Sequence, residues 1–78
     1  MIEVPVKLIK LVDARAMLGM TQHELAHRAG LSPVTVSNAE NGGRIRPLKR
    51  HAILRVLNAE RHNQGLKPLG IDDIEWEF

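Results

Sequence analysis

Two helix starts and two helix stops fall within about twenty residues of this chain, and that spacing constrains the fold more than any other feature. Thr21-Gln22-His23-Glu24 has the form of a capping box, with a threonine N-cap and a glutamate at the third helical position. Leu25, Ala26 and Ala29 supply a buried side, and Gly30 stops the helix after about two turns. Ser32 then offers a second N-cap, Pro33 sits at the first helical position where its missing N–H costs nothing, and Asn41-Gly42-Gly43 ends the segment. Val36 and Ala39 face inward. The spacing therefore predicts two short helices joined by the tight turn Ala29-Gly30-Leu31.

Flanking segments continue the helical pattern. Leu8, Leu11, Val12, Arg15 and Leu18 share one face of a helix expected from about Lys7 to Leu18, ended by Gly19. Arg15 interrupts that apolar stripe. A fourth helix is expected from about Leu48 to Asn63, with Ala52, Ile53, Val56, Leu57 and Leu48 as its apolar positions and Gly65 and Pro68 closing it. The termini carry a different period. Ile2, Val4 and Val6 alternate with Glu3 and Pro5, and Ile74, Trp76 and Phe78 alternate with Glu75 and Glu77. Period-two alternation predicts short strands that pair as a terminal ribbon. A ribbon of two strands must pack on the helices or on a second subunit to persist in water.

A chain of 78 residues builds one modest core, which leaves little room for a deep substrate cleft. Cysteine is absent, so disulfides, thiolate metal sites and cysteine nucleophiles are excluded together. There is no apolar run of membrane-spanning length, and Met1-Ile2-Glu3-Val4-Pro5 lacks the form of a secretory leader. These features predict a soluble, cytoplasmic protein with no membrane partner. Charge is unevenly spread. Residues 1–59 carry nine Lys/Arg and four Asp/Glu, a net +5, whereas residues 60–78 carry two and five, a net −3. From Arg44 to Arg55 the run Arg44, Arg46, Lys49, Arg50 and Arg55 contains no acid. A basic body with an acidic tail suits a polyanionic partner.

A helix-turn-helix needs a small residue where its two helices cross, a turn residue tolerant of positive φ, and an aliphatic anchor in its second helix. Ala26, Gly30 and Val36 occupy positions five, nine and fifteen of the window from Gln22 to Asn41. Gly19-Met20-Thr21-Gln22-His23-Glu24-Leu25-Ala26, Gly30-Leu31-Ser32-Pro33-Val34-Thr35-Val36-Ser37 and Glu40-Asn41-Gly42 resemble the opening, turn and ending of the lambda-repressor/Cro (XRE) family of regulators. The resemblance spans residues 8–58. It implies an all-α bundle of four to five short helices, here with a small terminal β-ribbon, forming a single DNA-binding domain over residues 1–78 whose motif core is 22–41.

The resemblance also implies a site on double-stranded DNA. Base contacts fall to Pro33, Val34, Ser37 and Asn38. Asn38 suits adenine N6 and N7, and Val34 suits a thymine methyl. Backbone contacts fall to Thr21, Gln22, Thr35, Arg44 and Arg46, which position the protein without reading sequence. Arg15 is expected to pair with Glu40, tying the first helix to the end of the third. The family usually binds as two-fold dimers and implies no cofactor, so a repressor acting as a homodimer is expected. The aromatic tail, residues 71–78, is the expected dimer contact, because exposed aromatic residues are otherwise a liability. The alternative within the same fold is an antitoxin-like protein that binds DNA and also a toxin partner. A protein-interaction module without DNA binding is a further one.

His23-Glu24-Leu25-Ala26-His27 also matches the H-E-x-x-H signature of zinc hydrolases. In that reading the two histidines share a helix face and bind zinc, with Glu24 as general base. The same residues already serve as a helix cap, the chain is small for a hydrolase cleft, and His51, Glu60 and His62 follow no ligand pattern. No metal site and no enzymatic activity are therefore expected.

Overall fold

The computed structural model describes residues 8–76. In chain order these form β1 (Ile9–Lys10), α1 (Leu11–Ala16), α2 (Gln22–Ala29), α3 (Pro33–Glu40), α4 (Pro47–Asn63), a 3-10 turn (Ile71–Asp73) and β2 (Ile74–Glu75).

The caps expected from sequence form as written. Thr21 Oγ1 accepts from the Glu24 N–H at 3.0 Å, and the Glu24 carboxylate accepts from the Thr21 N–H at 3.4 Å. Ser32 Oγ accepts from the Thr35 N–H at 3.2 Å, with Pro33 in the first turn. Gly30 takes φ +71°, a backbone shape that side chains with a Cβ rarely adopt. In that shape the Leu31 N–H reaches the Ala26 carbonyl at 2.8 Å and the Gly30 N–H the His27 carbonyl at 3.2 Å, closing α2 as a Schellman motif.

Leu25, Ile53, Leu57 and Val36 are the largest fully buried side chains and come from α2, α4 and α3. Each contributes roughly 1.5–3 kcal/mol through removal from water. Ala26 of α2 is wholly buried in the same core. Leu11, Ala14, Leu18 and Met20 extend the core from α1 and the turn that follows.

The first helix is shorter than its apolar period predicts. It begins at Leu11 rather than near Lys7, because Ile9 and Lys10 are taken by backbone pairing with Ile74 and Glu75. Leu8 is consequently exposed and is no part of the helix. Lys7 itself lies outside the described residues. Leu48 is also misplaced by period alone: it is 84% exposed in the first turn of α4, facing away from the core that Ile53, Val56 and Leu57 build.

A terminal ribbon forms, and its strands run parallel in the register Ile9↔Ile74 and Lys10↔Glu75. Parallel partners need a crossover, and here all four helices supply it. Ile2, Val4, Val6 and Phe78, also expected in the ribbon, lie outside the described residues. The tail is held in place before it reaches β2. Asn58 of α4 donates to the Leu69 carbonyl and accepts from the Leu69 N–H, both at 2.8 Å. Trp76 is only 7% exposed, and its indole N–H donates to the Ile71 carbonyl at 2.9 Å. Its ring is thus part of this chain's own core, which removes the reason for expecting it at a dimer contact.

Candidate nucleic-acid interface

Helix α3 has one buried side and one open side. Val36 and Ala39 lock the inner side into the core, while Val34 is 66% exposed and Asn38 is exposed beside it. Among the described residues, the Asn38 carboxamide has no hydrogen-bond partner, so its donor pair and acceptor are available together. Pro33 and Ser37 are half-buried on the same helix, and the Ser37 hydroxyl accepts a long bond of 3.4 Å from Asn41. Thr35 is half-buried, with its hydroxyl 2.9 Å from that of Ser32.

A groove runs between α3 and the start of α4, lined by Thr35, Asn38, Arg44, Ile45, Arg46 and Lys49. Three of the six carry positive charge and none carries negative charge. Arg44 and Arg46 are exposed and make no ion pair with another described residue. Lys49 belongs to this basic wall although no motif singles it out; its only sequence signal is membership of the acid-free run from Arg44 to Arg55.

The far end of α3 is tied down. Arg15 Nε donates to Glu40 Oε2, Arg15 Nη2 donates to Glu40 Oε1 at 2.9 Å, and Arg15 Nη1 donates to the Met20 carbonyl at 2.7 Å. The Glu40 side chain is 3% exposed. This bidentate bond, and the negative charge behind it, holds the proton on Arg15 more tightly than in a free guanidinium, while burial acts in the opposite direction. A third donor was not legible in the sequence: Gln22 Nε2 donates to Glu40 Oε1 at 2.9 Å. Glu40 therefore joins α1, α2 and α3 at one carboxylate. One amide hydrogen of Gln22 is spent on it and the other remains. Thr21 is exposed, but its hydroxyl serves the α2 cap.

On the opposite side of α2, Arg28 donates to Glu60 of α4 at 3.1 Å. Hydrogen bonds from Gln64 and then Arg28 hold the Glu60 carboxyl below its ordinary range. His23 and His27 are exposed on α2, and no three metal-binding side chains come together among the described residues. No helix among the described residues is long and apolar enough to cross a membrane.

This arrangement, a short helix with one open side packed against a second that a glycine turn joins to it, defines a helix-turn-helix DNA-binding regulator. The family model described as Helix-turn-helix matches residues 11–60, and the chain belongs to that XRE-type family. Comparison with curated proteins finds no match, and comparison with solved structures finds none.

Proposed function

We propose that the chain is a sequence-specific regulator of transcription that binds double-stranded DNA through α3 and acts as a repressor in dimeric form. The observation that carries this reading is the open side of α3, where Asn38, whose side chain has no hydrogen-bond partner among the described residues, and exposed Val34 stand beside a groove lined by Arg44, Arg46 and Lys49. Pro33, Val34, Ser37 and Asn38 face base edges, and Thr21, Gln22, Thr35, Arg44 and Arg46 meet phosphates. With no arginine on the reading side, Asn38 and Val34 favour A·T pairs at the contacted positions. Selection of bound sequences from a random DNA pool at stated salt tests this. Enrichment of paired, A·T-biased half-sites about one helical turn apart is expected; no enrichment overturns it.

The dimer contact we assign lies beside the tail rather than in Trp76. Leu8 and Met17 are exposed next to Lys10, Asp13 and Glu75, and none of these three charges forms an ion pair with another described residue. An apolar pair flanked by both signs of charge suits a surface that meets its own copy across a two-fold axis. Met17→Glu is expected to give a folded monomer by sedimentation. A variant that stays dimeric removes this assignment, and a protein partner that co-purifies in stoichiometric amount favours the antitoxin-like alternative.

A further inference from the structure

We propose that Gly43 is a positioning residue of the DNA interface, setting the distance between the reading helix and the basic segment that follows it. The inference rests on the DNA-binding reading above. Gly42 and Gly43 are adjacent, but they are glycine for different reasons. Gly42 has φ +87° and open space where a Cβ would stand, so its demand is conformational. Gly43 lies outside the left-handed region, and its demand is steric. A Cβ there would sit 2.8 Å from the carbonyl oxygen of Asn38, and 3.3 Å from both the carbonyl carbon and the Cβ of that residue. The nearest of these are backbone atoms within a helix and cannot swing aside as the tip of a side chain could.

The close approach is also bonded. The Gly43 N–H donates to the Asn38 carbonyl at 2.7 Å. The chain therefore leaves α3 by folding back onto the last turn of the helix that carries Asn38. This course brings Arg44, Arg46 and Lys49 alongside Thr35 and Asn38 in one groove. A methyl group at position 43 forces a choice. Either the segment carrying Arg44 to Lys49 moves outward, or the Asn38 backbone moves inward. Bidentate contact with a base edge tolerates a displacement of only about 0.5 Å, so the first choice weakens phosphate contacts and the second weakens base reading.

The test is Gly43→Ala in the full chain, alone and combined with Lys49→Ala. The readouts are thermal melting and DNA affinity over a range of salt, on the selected site and on a scrambled duplex. Gly43→Ala is expected to melt close to the wild type and to bind the selected site about tenfold more weakly. Its plot of log affinity against log salt should flatten by about one unit or more, as basic groups leave their phosphates. Lys49→Ala should flatten the wild-type slope but change the Gly43→Ala slope less. A purely structural glycine would alter melting and leave the slope alone. Wild-type affinity and slope in Gly43→Ala overturn the proposal while DNA binding stands, as does a large melting loss with an unchanged slope. Failure of the wild type itself to bind DNA overturns both readings.

Discussion

Helices α2 and α3 are equal in length, each starts at a hydroxyl cap, and each is followed by a glycine of positive φ, yet they spend their polar side chains in opposite ways. On α2, Gln22 is bonded to Glu40, Glu24 to Thr21, and Arg28 to Glu60. The first and last tie α2 to α3 and α4, and the middle one caps α2 itself. On α3, Glu40 is bonded to two other helices, whereas Val34 is exposed and the exposed Asn38 side chain has no hydrogen-bond partner among the described residues. An exposed polar group in water costs little to leave unpaired, whereas a buried one costs the full desolvation of that group. The difference separates scaffold from reading surface within one motif: α2 and the end of α3 fix the geometry, and the open side of α3 stays available.

If that division is right, substitutions on the scaffold should move stability, and those on the open side should move DNA binding alone. Trp76→Ala should have the largest effect, because the ring is buried and its N–H is bonded. A loss of about 3–5 kcal/mol in chemical denaturation is expected, a large part of the roughly 5–15 kcal/mol that holds a domain folded. A loss below 1 kcal/mol would show the tail to be no part of the core. Glu40→Ala comes next. It strands the Arg15 charge and frees Gln22, at a cost of about 3 kcal/mol. The double variant Arg15→Met with Glu40→Leu should recover most of that loss, since no charge is then left unpaired. Failure to recover would mean that the three-helix junction needs its bonds and not merely its charge balance.

On the open side, Asn38→Ala should leave the melting temperature unchanged and reduce discrimination at one base pair by about 1–3 kcal/mol. Arg44→Ala and Arg46→Ala should each reduce the salt slope by about one unit without changing which sequence is preferred. A shift in melting from any of these would blur the boundary between the two roles. The smallest effect belongs to Glu60. Its carboxyl is held below the ordinary range, so the stabilisation is complete above the usual glutamate value of about 4.3 and fades as pH falls through the folded-state value. Glu60→Gln should therefore be near neutral at pH 7 and should lose less stability than the wild type between pH 5 and acid.

Local signals in this chain were strong wherever the physics is local. Thr21, Ser32, Pro33 and Gly30 act on backbone groups within three or four residues, so their roles in starting and stopping α2 and α3 were legible from spacing alone. Arg15 stood out because a charge on an apolar stripe demands a partner, and family resemblance supplied Glu40 as that partner. Long-range features were not legible in this way. Nothing near Gln22 indicates that its amide reaches Glu40, and nothing near Arg28 indicates Glu60. Helical period assigned Leu8 to the first helix, because periodicity cannot register that Ile9 and Lys10 will pair with a segment more than sixty residues away. Leu48 fits the apolar stripe of α4 equally well on paper, but the first turn of that helix projects beyond the core.

The sequence by itself therefore determined where the helices of the motif begin and end, and hence the class of protein, because caps and turns are satisfied by near neighbours. Only the tertiary structure decided how those helices are held and which surface is left over. Glu40 gathers donors from two other helices, the tail closes on β1 and buries Trp76, and Gly43 meets the backbone of Asn38 at a distance no side chain would allow. The first two depend on residues that come together only after the chain has folded; the period-two pattern of the tail predicts a strand but not the partner it pairs with, and the third depends on the path the backbone takes out of α3.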